Sequence, residues 1–430
     1  MTKKRTALGD IRVIAFTHFA AGPIAAQYLG SFGADVVKVE APQQDVNRYA
    51  LRHPDGLLQG ISPYFLVTNR NQRNICVDLK QPAGLDTAKR LVASADILIE
   101  NYRLGVMEKL GLGYEAVRKL KSDIIYSSIS AYDPTGPARD RPGQDLLLQA
   151  LSGIASLTGR GDGPPIPVGA YIIDGFTAMQ VVAGIFAALR HREKTGEGQW
   201  LRADMMSSAL YLMAQEASYI LNVDPNPQRS RAGIAHVNQS APYGVYGTQD
   251  GAIVISTFSG VPMMRKVAEG LGILHEIEAD LTERGLRFNR DKVATVLARR
   301  LSQMTNEQAI RLIEPTGAWA VPVRSLAEAL DDPAVQAAGI IQDVESPYGG
   351  KYRVITEPLK MQATPLVSER PAAAHGEHTR EILAELGLST EETAALLQSK
   401  AALTGDDWAP ASAERVEVGS RAAAKHGIGP

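Results

Sequence analysis

Along its first 130 residues the chain alternates short apolar blocks with helical stretches that show one apolar face. Arg12 to Phe16 is an apolar strand. Ala20-Ala21-Gly22-Pro23 then turns into a helix, with Pro23 near its first position, that runs to about Phe32. Gly33 stops this helix, and Asp35-Val36-Val37-Lys38-Val39-Glu40 is the next strand. The alternation continues with a strand over Asn74 to Leu79, a helix over Gln81 to Ala93 and a buried strand over Ile97 to Glu100. Leu110 to Leu120 is mostly helix and Ile124 to Ser130 another strand. This spacing predicts a doubly wound, mainly parallel sheet covered on both faces.

Pro165 to Trp200 carries the longest helical pattern. Met179, Val182, Phe186 and Leu189 recur at three- and four-residue steps, and a basic turn with Gly196 and Gly198 closes the helix. Asp174 falls at the N-cap of that helix, beside free backbone N–H groups and the positive dipole end, which favour an ionised carboxylate. Most aspartates at such positions only cap a helix; the functional alternative is a carboxylate held ready as a nucleophile.

Further on, Arg202 to Leu221 predicts a second long helix, in which Met205, Met206 and Met213 are core packing. Asn222 to Pro227 has linker composition. Pro242 to Gly247 and Ala252 to Ser256 flank Gln249-Asp250-Gly251 as a hairpin. Helices are expected near Val261–Leu271, Arg290–Gln303 and Asn306–Glu314, then over Ser325 to Ala338, Thr379 to Leu386 and Glu391 to Leu397. Tyr352 to Ile355 is a strand candidate. The expected domains are 1–222 as the first part of a large domain, 223–325 as a smaller mixed one, and 326–403 as linker and return. Residues 404–430 are expected to form a flexible tail.

Composition narrows the class. A chain of 430 residues with 45% apolar and 21% charged residues is a globular protein of more than one core. A net charge of -2 gives no electrostatic case for nucleic acid or an anionic membrane as partner. The single Cys76 excludes an internal disulfide and argues against a cysteine metal site. The opening MTKKR is followed by Asp10 and Arg12, which interrupt a signal-peptide pattern, so a cytoplasmic location is expected.

The common fingerprints are missing: no GxGxxG follows the first strand, and there is no Walker A, GxSxG or HExxH. His375 and His378 lack a third ligand, so no metal site is expected. Lys80, Arg103 and Lys109 follow strand ends, the rim where open parallel sheets bind ligands, and suit a phosphate-bearing molecule; solvated surface charge is the plain alternative.

Read together, several pieces resemble the class III CoA-transferase family, which includes formyl-CoA transferases, carnitine CoA-transferases and methylacyl-CoA racemases. They are Ala21-Gly22-Pro23, the run Gly33 to Glu40, Glu100-Asn101-Tyr102, Asp145 with Gln149-Ala150, Asp174, Ala187-Ala188-Leu189, Thr195 to Gln199, Pro242 to Tyr246 and Gly376 to Thr379. The resemblance implies an α/β fold with a Rossmann-like large domain, its mainly parallel sheet built from both chain ends. It further implies a smaller α+β middle domain and an interlocked homodimer. It makes Asp174 the nucleophile that passes CoA between carboxylic acids through an aspartyl anhydride and an aspartyl-CoA thioester. The resemblance implies no permanently bound cofactor, with a coenzyme A thioester as substrate. CoA contacts are implied for Ala20, Ala21, Val77, Asp78, Leu79, Lys80, Asn101, Tyr102, Arg103 and Lys109, and for Gln144 and Asp145.

This sequence departs from the formyl-CoA transferases at Ala41 and Lys109, where they carry a basic residue and Arg, and it lacks their glycine-rich loop. The racemase branch carries His where Gln144 stands, and an amide is no general base near neutral pH. A nucleotide-binding oxidoreductase and a non-catalytic binding protein of the same fold are the remaining alternatives.

Overall fold

The computed structural model describes residues 6–48, 58, 61–257, 260–367 and 370–407. The N-terminal MTKKR and the 408–430 part of the expected tail lie outside the described residues. The described chain divides into two compact units: 1–129 with 181–202 and 341–430, and 130–180 with 203–340.

In the first unit, β1 (Arg12–Phe16), β2 (Asp35–Glu40), β3 (Arg73–Val77), β4 (Ile97–Glu100), β5 (Ile125–Ser130) and β6 (Gln199–Asp204) join the short strand Ala402–Leu403 in one sheet. The order is Ala402–Leu403, β3, β2, β1, β4, β5, β6. The ladders β3–β2, β2–β1, β1–β4 and β4–β5 are parallel, and Ala402–Leu403 runs antiparallel to β3. This doubly wound order places the carboxyl ends of β1 to β4 along one edge. β1 to β4 are buried almost throughout, with Val13, Ile14, Val37, Ile75, Leu98 and Ile99 fully covered, as a sheet clothed on both faces requires, whereas β6 is half-buried to exposed. Residues 404–407, expected to begin a loose tail, are instead tied in: Gly405 donates its N–H to the Gly376 carbonyl and Thr404 to the Asp407 carboxylate.

The helix Ile172–Thr195 begins in the second unit and continues in the first. By length and composition it is apolar enough to cross a membrane, yet 44% of its most apolar window is buried within the protein. Its covered residues are Ile173, Thr177, Ala178, Val181, Val182, Ile185, Ala188 and Leu189, which include Val182 and Leu189 of the expected face. Met179 and Phe186 are only half-buried, and Phe186 meets Phe32 edge-on at 5.3 Å.

Three expected helices are shortened or broken. Leu110 to Leu120 is shortened to Tyr114–Leu120, because Gly111 (φ 68°) and Gly113 keep Leu110 to Gly113 out of it; a separate turn of helix, Val106–Lys109, precedes them. Arg202 to Leu221 is not one helix. Its first residues finish β6, whose Trp200 stacks on Tyr114 at 5.2 Å, and helices Met205–Leu212 and Ala214–Asn222 follow. Asp204 makes the switch by accepting the Ser207 N–H as N-cap, at 2.7 Å.

In the second unit the expected hairpin is present: Gly244–Gly247 pairs antiparallel with Ala252–Ser256, and Trp319–Pro322, which periodicity did not reveal, pairs on the far side. Helices Gly260–Leu271, Arg290–Leu301 and Asn306–Ile313 cover one sheet face with Val267, Leu271, Leu297 and Ile313. The helical stretch after Ser325 breaks at Pro333, giving Leu326–Leu330 and Pro333–Ala338.

Candidate active site

Asp174 is not the N-cap of its helix but the third residue inside it, in the first turn. The cap comes from elsewhere in the sequence. Asp145 Oδ2 accepts the backbone N–H groups of Ile173 at 2.8 Å and Asp174 at 3.0 Å, so the donors expected to be free are taken. Asp145 opens the helix Asp145–Leu151, and Gln149, one turn later on the same face, donates from Nε2 to Asp145 Oδ1 at 2.6 Å. Gln149 Oε1 accepts the Val168 N–H at 2.8 Å, and its Nε2 also reaches the Ala170 carbonyl at 3.2 Å.

Asp145 and Gln149 are each 2% exposed. A buried carboxylate is tolerated here because its oxygens are filled by charge-assisted hydrogen bonds at the positive end of a 24-residue helix. Asp145, expected among CoA contacts, therefore has its carboxylate turned to the protein backbone. Gln144, just outside that helix, is extended and makes no capping bond. Earlier in the loop that enters the helix of Asp174, Arg229 donates to the carbonyls of Thr158 (2.8 Å), Gly163 (2.9 Å) and Pro164 (3.1 Å).

The other expected CoA residues lie in the first unit, at the carboxyl edge of its sheet. After β1, the His18 backbone is held on both sides by Asn101, whose Oδ1 accepts the His18 N–H at 2.9 Å and whose Nδ2 donates to its carbonyl at 2.7 Å. Ala20 and Ala21 follow, both buried, at the start of helix Ala21–Ser31, where Ala20 supplies no side-chain cap. Gly22 fits tightly: a Cβ there would come within 2.8 Å of Thr17 Cγ2 and 3.0 Å of Asn101 Cγ. The Tyr102 ring lies 5.4 Å from His18 and 6.4 Å from Phe16.

Val77 ends β3 in the core, and Leu79 is half-buried. Asp78 is spent on its own turn, accepting from the Lys80 N–H at 3.0 Å and Gln81 Nε2 at 3.1 Å. Lys80, Arg103 and Lys109 are exposed, the first two just after the ends of β3 and β4.

Beneath this edge is a buried charge network that sequence reading missed. Lys38 Nζ donates to the Thr17 carbonyl (2.8 Å) and to Asp45 (2.9 Å), while Arg48 forks onto Glu40 at 2.7 and 3.0 Å. Lys38 and Glu40 occupy strand positions, and nothing in their spacing names partners five to eight residues away in a loop. Burial lowers His18 to about 4, with Asp45 opposing and Lys38 and Arg103 assisting, so its ring is neutral. Burial pushes Glu100 up to about 7 despite its bonds from Ser128 and the Tyr102 N–H. Among the described residues no group of His, Cys, Asp and Glu is arranged to hold a metal.

The profile of CoA-transferase family III matches residues 8–379. The chain is 34% identical over 395 residues to the succinate–glutarate CoA-transferase of Agrobacterium fabrum, spanning 90% of this chain and 97% of that one. It is 34% identical to the succinyl-CoA:mesaconate CoA-transferase of Haloarcula hispanica, spanning 89% and 97%. A crystal structure of a CAIB/BAIF family protein from Brucella suis superposes with a TM-score of 0.77 at 30% identity, covering 89% of this chain and all of that one.

Proposed function

Because this chain belongs to CoA-transferase family III, we propose that it moves CoA from an acyl-CoA donor to a carboxylic acid through covalent catalysis at Asp174. The observation that supports this reading is the seating of Asp174: half-buried in the first turn of a long helix, with its backbone N–H taken by the buried carboxylate of Asp145.

In this mechanism the Asp174 carboxylate attacks the donor thioester carbonyl, the C–S bond breaks, and an acyl-aspartyl anhydride and CoA thiolate result. The thiolate attacks the aspartyl carbonyl, releasing the donor acid and leaving an aspartyl-CoA thioester. The acceptor carboxylate displaces the thiolate to form a second anhydride. The thiolate then attacks the acceptor carbonyl, giving the new acyl-CoA and restoring Asp174. Each exchange converts one acyl derivative into another of similar reactivity, so no step requires an activated acid from outside.

CoA itself is proposed to lie on Ala20, Ala21, Val77 to Lys80, Asn101 and Tyr102, with Arg103 and Lys109 meeting its phosphates. The uncapped start of helix Ala21–Ser31 suits an anion. The relatives named for succinate, glutarate and mesaconate suggest succinyl-CoA as donor and a four- or five-carbon dicarboxylic acid as acceptor. Residues 1–222 with 326–403 as the CoA-binding domain, 223–325 as the smaller one, the interlocked homodimer and the cytoplasmic location belong to the same proposal.

The test is trapping. The protein is incubated with succinyl-CoA and a panel of dicarboxylic acids, quenched with hydroxylamine, digested and mapped by mass. Modification at Asp174 that depends on acyl-CoA is expected, with Asp174→Ala and Asp174→Asn inactive. Full transferase activity in either variant sinks the reading.

A further inference from the structure

We propose that Gln149 is a positioning residue for the nucleophile, acting through Asp145; this rests on the reading of Asp174 as the attacking group. Asp145 has two oxygens with separate duties: Oδ2 holds the N–H groups of Ile173 and Asp174, and Oδ1 is held by Gln149 Nε2. A carboxylate anchored through one oxygen only can swing about its side-chain torsions. Anchored through both, it fixes the helix start in one place.

The amide of Gln149 is itself held one way round. Its Oε1 takes the Val168 N–H and its Nε2 faces Asp145 Oδ1 and the Ala170 carbonyl. Turning the amide over would set oxygen against oxygen and N–H against N–H. One side chain therefore ties positions 168 and 170 of the entering loop directly, and positions 173 and 174 through Asp145. The same arrangement separates the roles of two carboxylates in one site. Asp145 is 2% exposed and saturated with donors, so a thioester meets Asp174 alone.

Two variants test this on the full chain. Gln149→Glu is isosteric and keeps the acceptor for Val168, but its carboxyl donates to Asp145 only when protonated, because two ionised carboxylates cannot share that spacing. Its kcat is expected near the wild-type value at low pH and to fall as pH rises, reaching about ten- to a hundredfold below wild type, the range commanded by misplacing a reacting group. Gln149→Ala is expected to show the lowered kcat at every pH. In both, KM for the acyl-CoA donor holds, while the thermal midpoint falls because the buried Asp145 loses a donor.

A Gln149→Glu variant with wild-type kcat and pH profile overturns the proposal. So does a pH-independent loss of kcat, KM and thermal stability together, which marks a merely structural residue. Asp174→Ala run in parallel separates the two claims. If it stays active, the nucleophile reading fails; if it is dead while the Gln149 variants are unaffected, only the positioning role fails.

Discussion

Replacing Glu40 by Gln removes the negative half of a fully buried ion pair without changing its shape. Glu40 accepts from Arg48 Nη2 at 2.7 Å and Nε at 3.0 Å, from Asn74 at 2.7 Å and from the Asp45 N–H at 3.0 Å. Burial alone would push Glu40 up. The charge and hydrogen bonds of Arg48, with help from Lys38 and His375, reverse this and hold it at about 2. The drop from the ordinary 4.5 to about 2 corresponds by linkage to about 3 kcal/mol. The same pair viewed from Arg48 agrees in direction, since Glu40 raises the guanidinium against its burial. Removing one partner of a buried pair costs about 3–5 kcal/mol. The lower end applies here, because Arg48 keeps Tyr348 Oη, the Ala373 carbonyl and the Phe65 ring 4.0 Å away.

A loss of about 3 kcal/mol lowers the thermal midpoint by roughly 5–10 °C for a unit of this size. The assay is urea unfolding of wild type and Glu40→Gln at neutral pH, repeated towards pH 2. Because the folded value is depressed, the contribution is fully present above about pH 4.5 and lost as pH falls through about 2, so the two proteins converge in acid. Glu40→Gln within about 1 kcal/mol of wild type at neutral pH would refute the reasoning, since the buried Arg48 charge would then tolerate isolation. The double variant with Arg48→Met is expected to recover much of the loss.

Other outcomes follow from the site. Asp174→Asn should bind acyl-CoA yet neither turn over nor trap with hydroxylamine. The Gln149 substitutions should give the contrasting pH profiles already described. Gly22→Ala forces a methyl against Thr17 and Asn101 and should cost about 1–3 kcal/mol of stability, the usual cost of overpacking, with weaker CoA binding in calorimetry; unchanged affinity would detach the first turn from CoA. The neutral His18 should show no NMR titration above about pH 5. Its lowered value makes its contribution to stability complete above 6.5 and lost as pH falls from there to about 4, and His18→Asn should flatten that part of the stability–pH curve.

By itself the sequence determined the alternating strands and helices of the first 130 residues, the hairpin around Asp250 and the family resemblance. These rest on local causes: apolar periodicity, glycine stops and proline starts act within a few residues. The tertiary structure decided what depends on distant partners. The helix of Asp174 begins two residues before its expected cap because Asp145, 29 positions upstream, accepts the N–H groups of Ile173 and Asp174. Gln199–Asp204 is strand rather than the start of a helix because it extends the sheet beside β5. Trp319–Pro322 and Ile341–Glu345 carry no Ile–Leu–Ile block like that of Ile97–Glu100 and exist through their ladders. Lys38 and Glu40 look like misplaced charges in an apolar strand until Asp45 and Arg48 fold over them. A buried ion is stable only with its counter-ion in contact, and contact between such groups is settled by the fold rather than by their spacing along the chain.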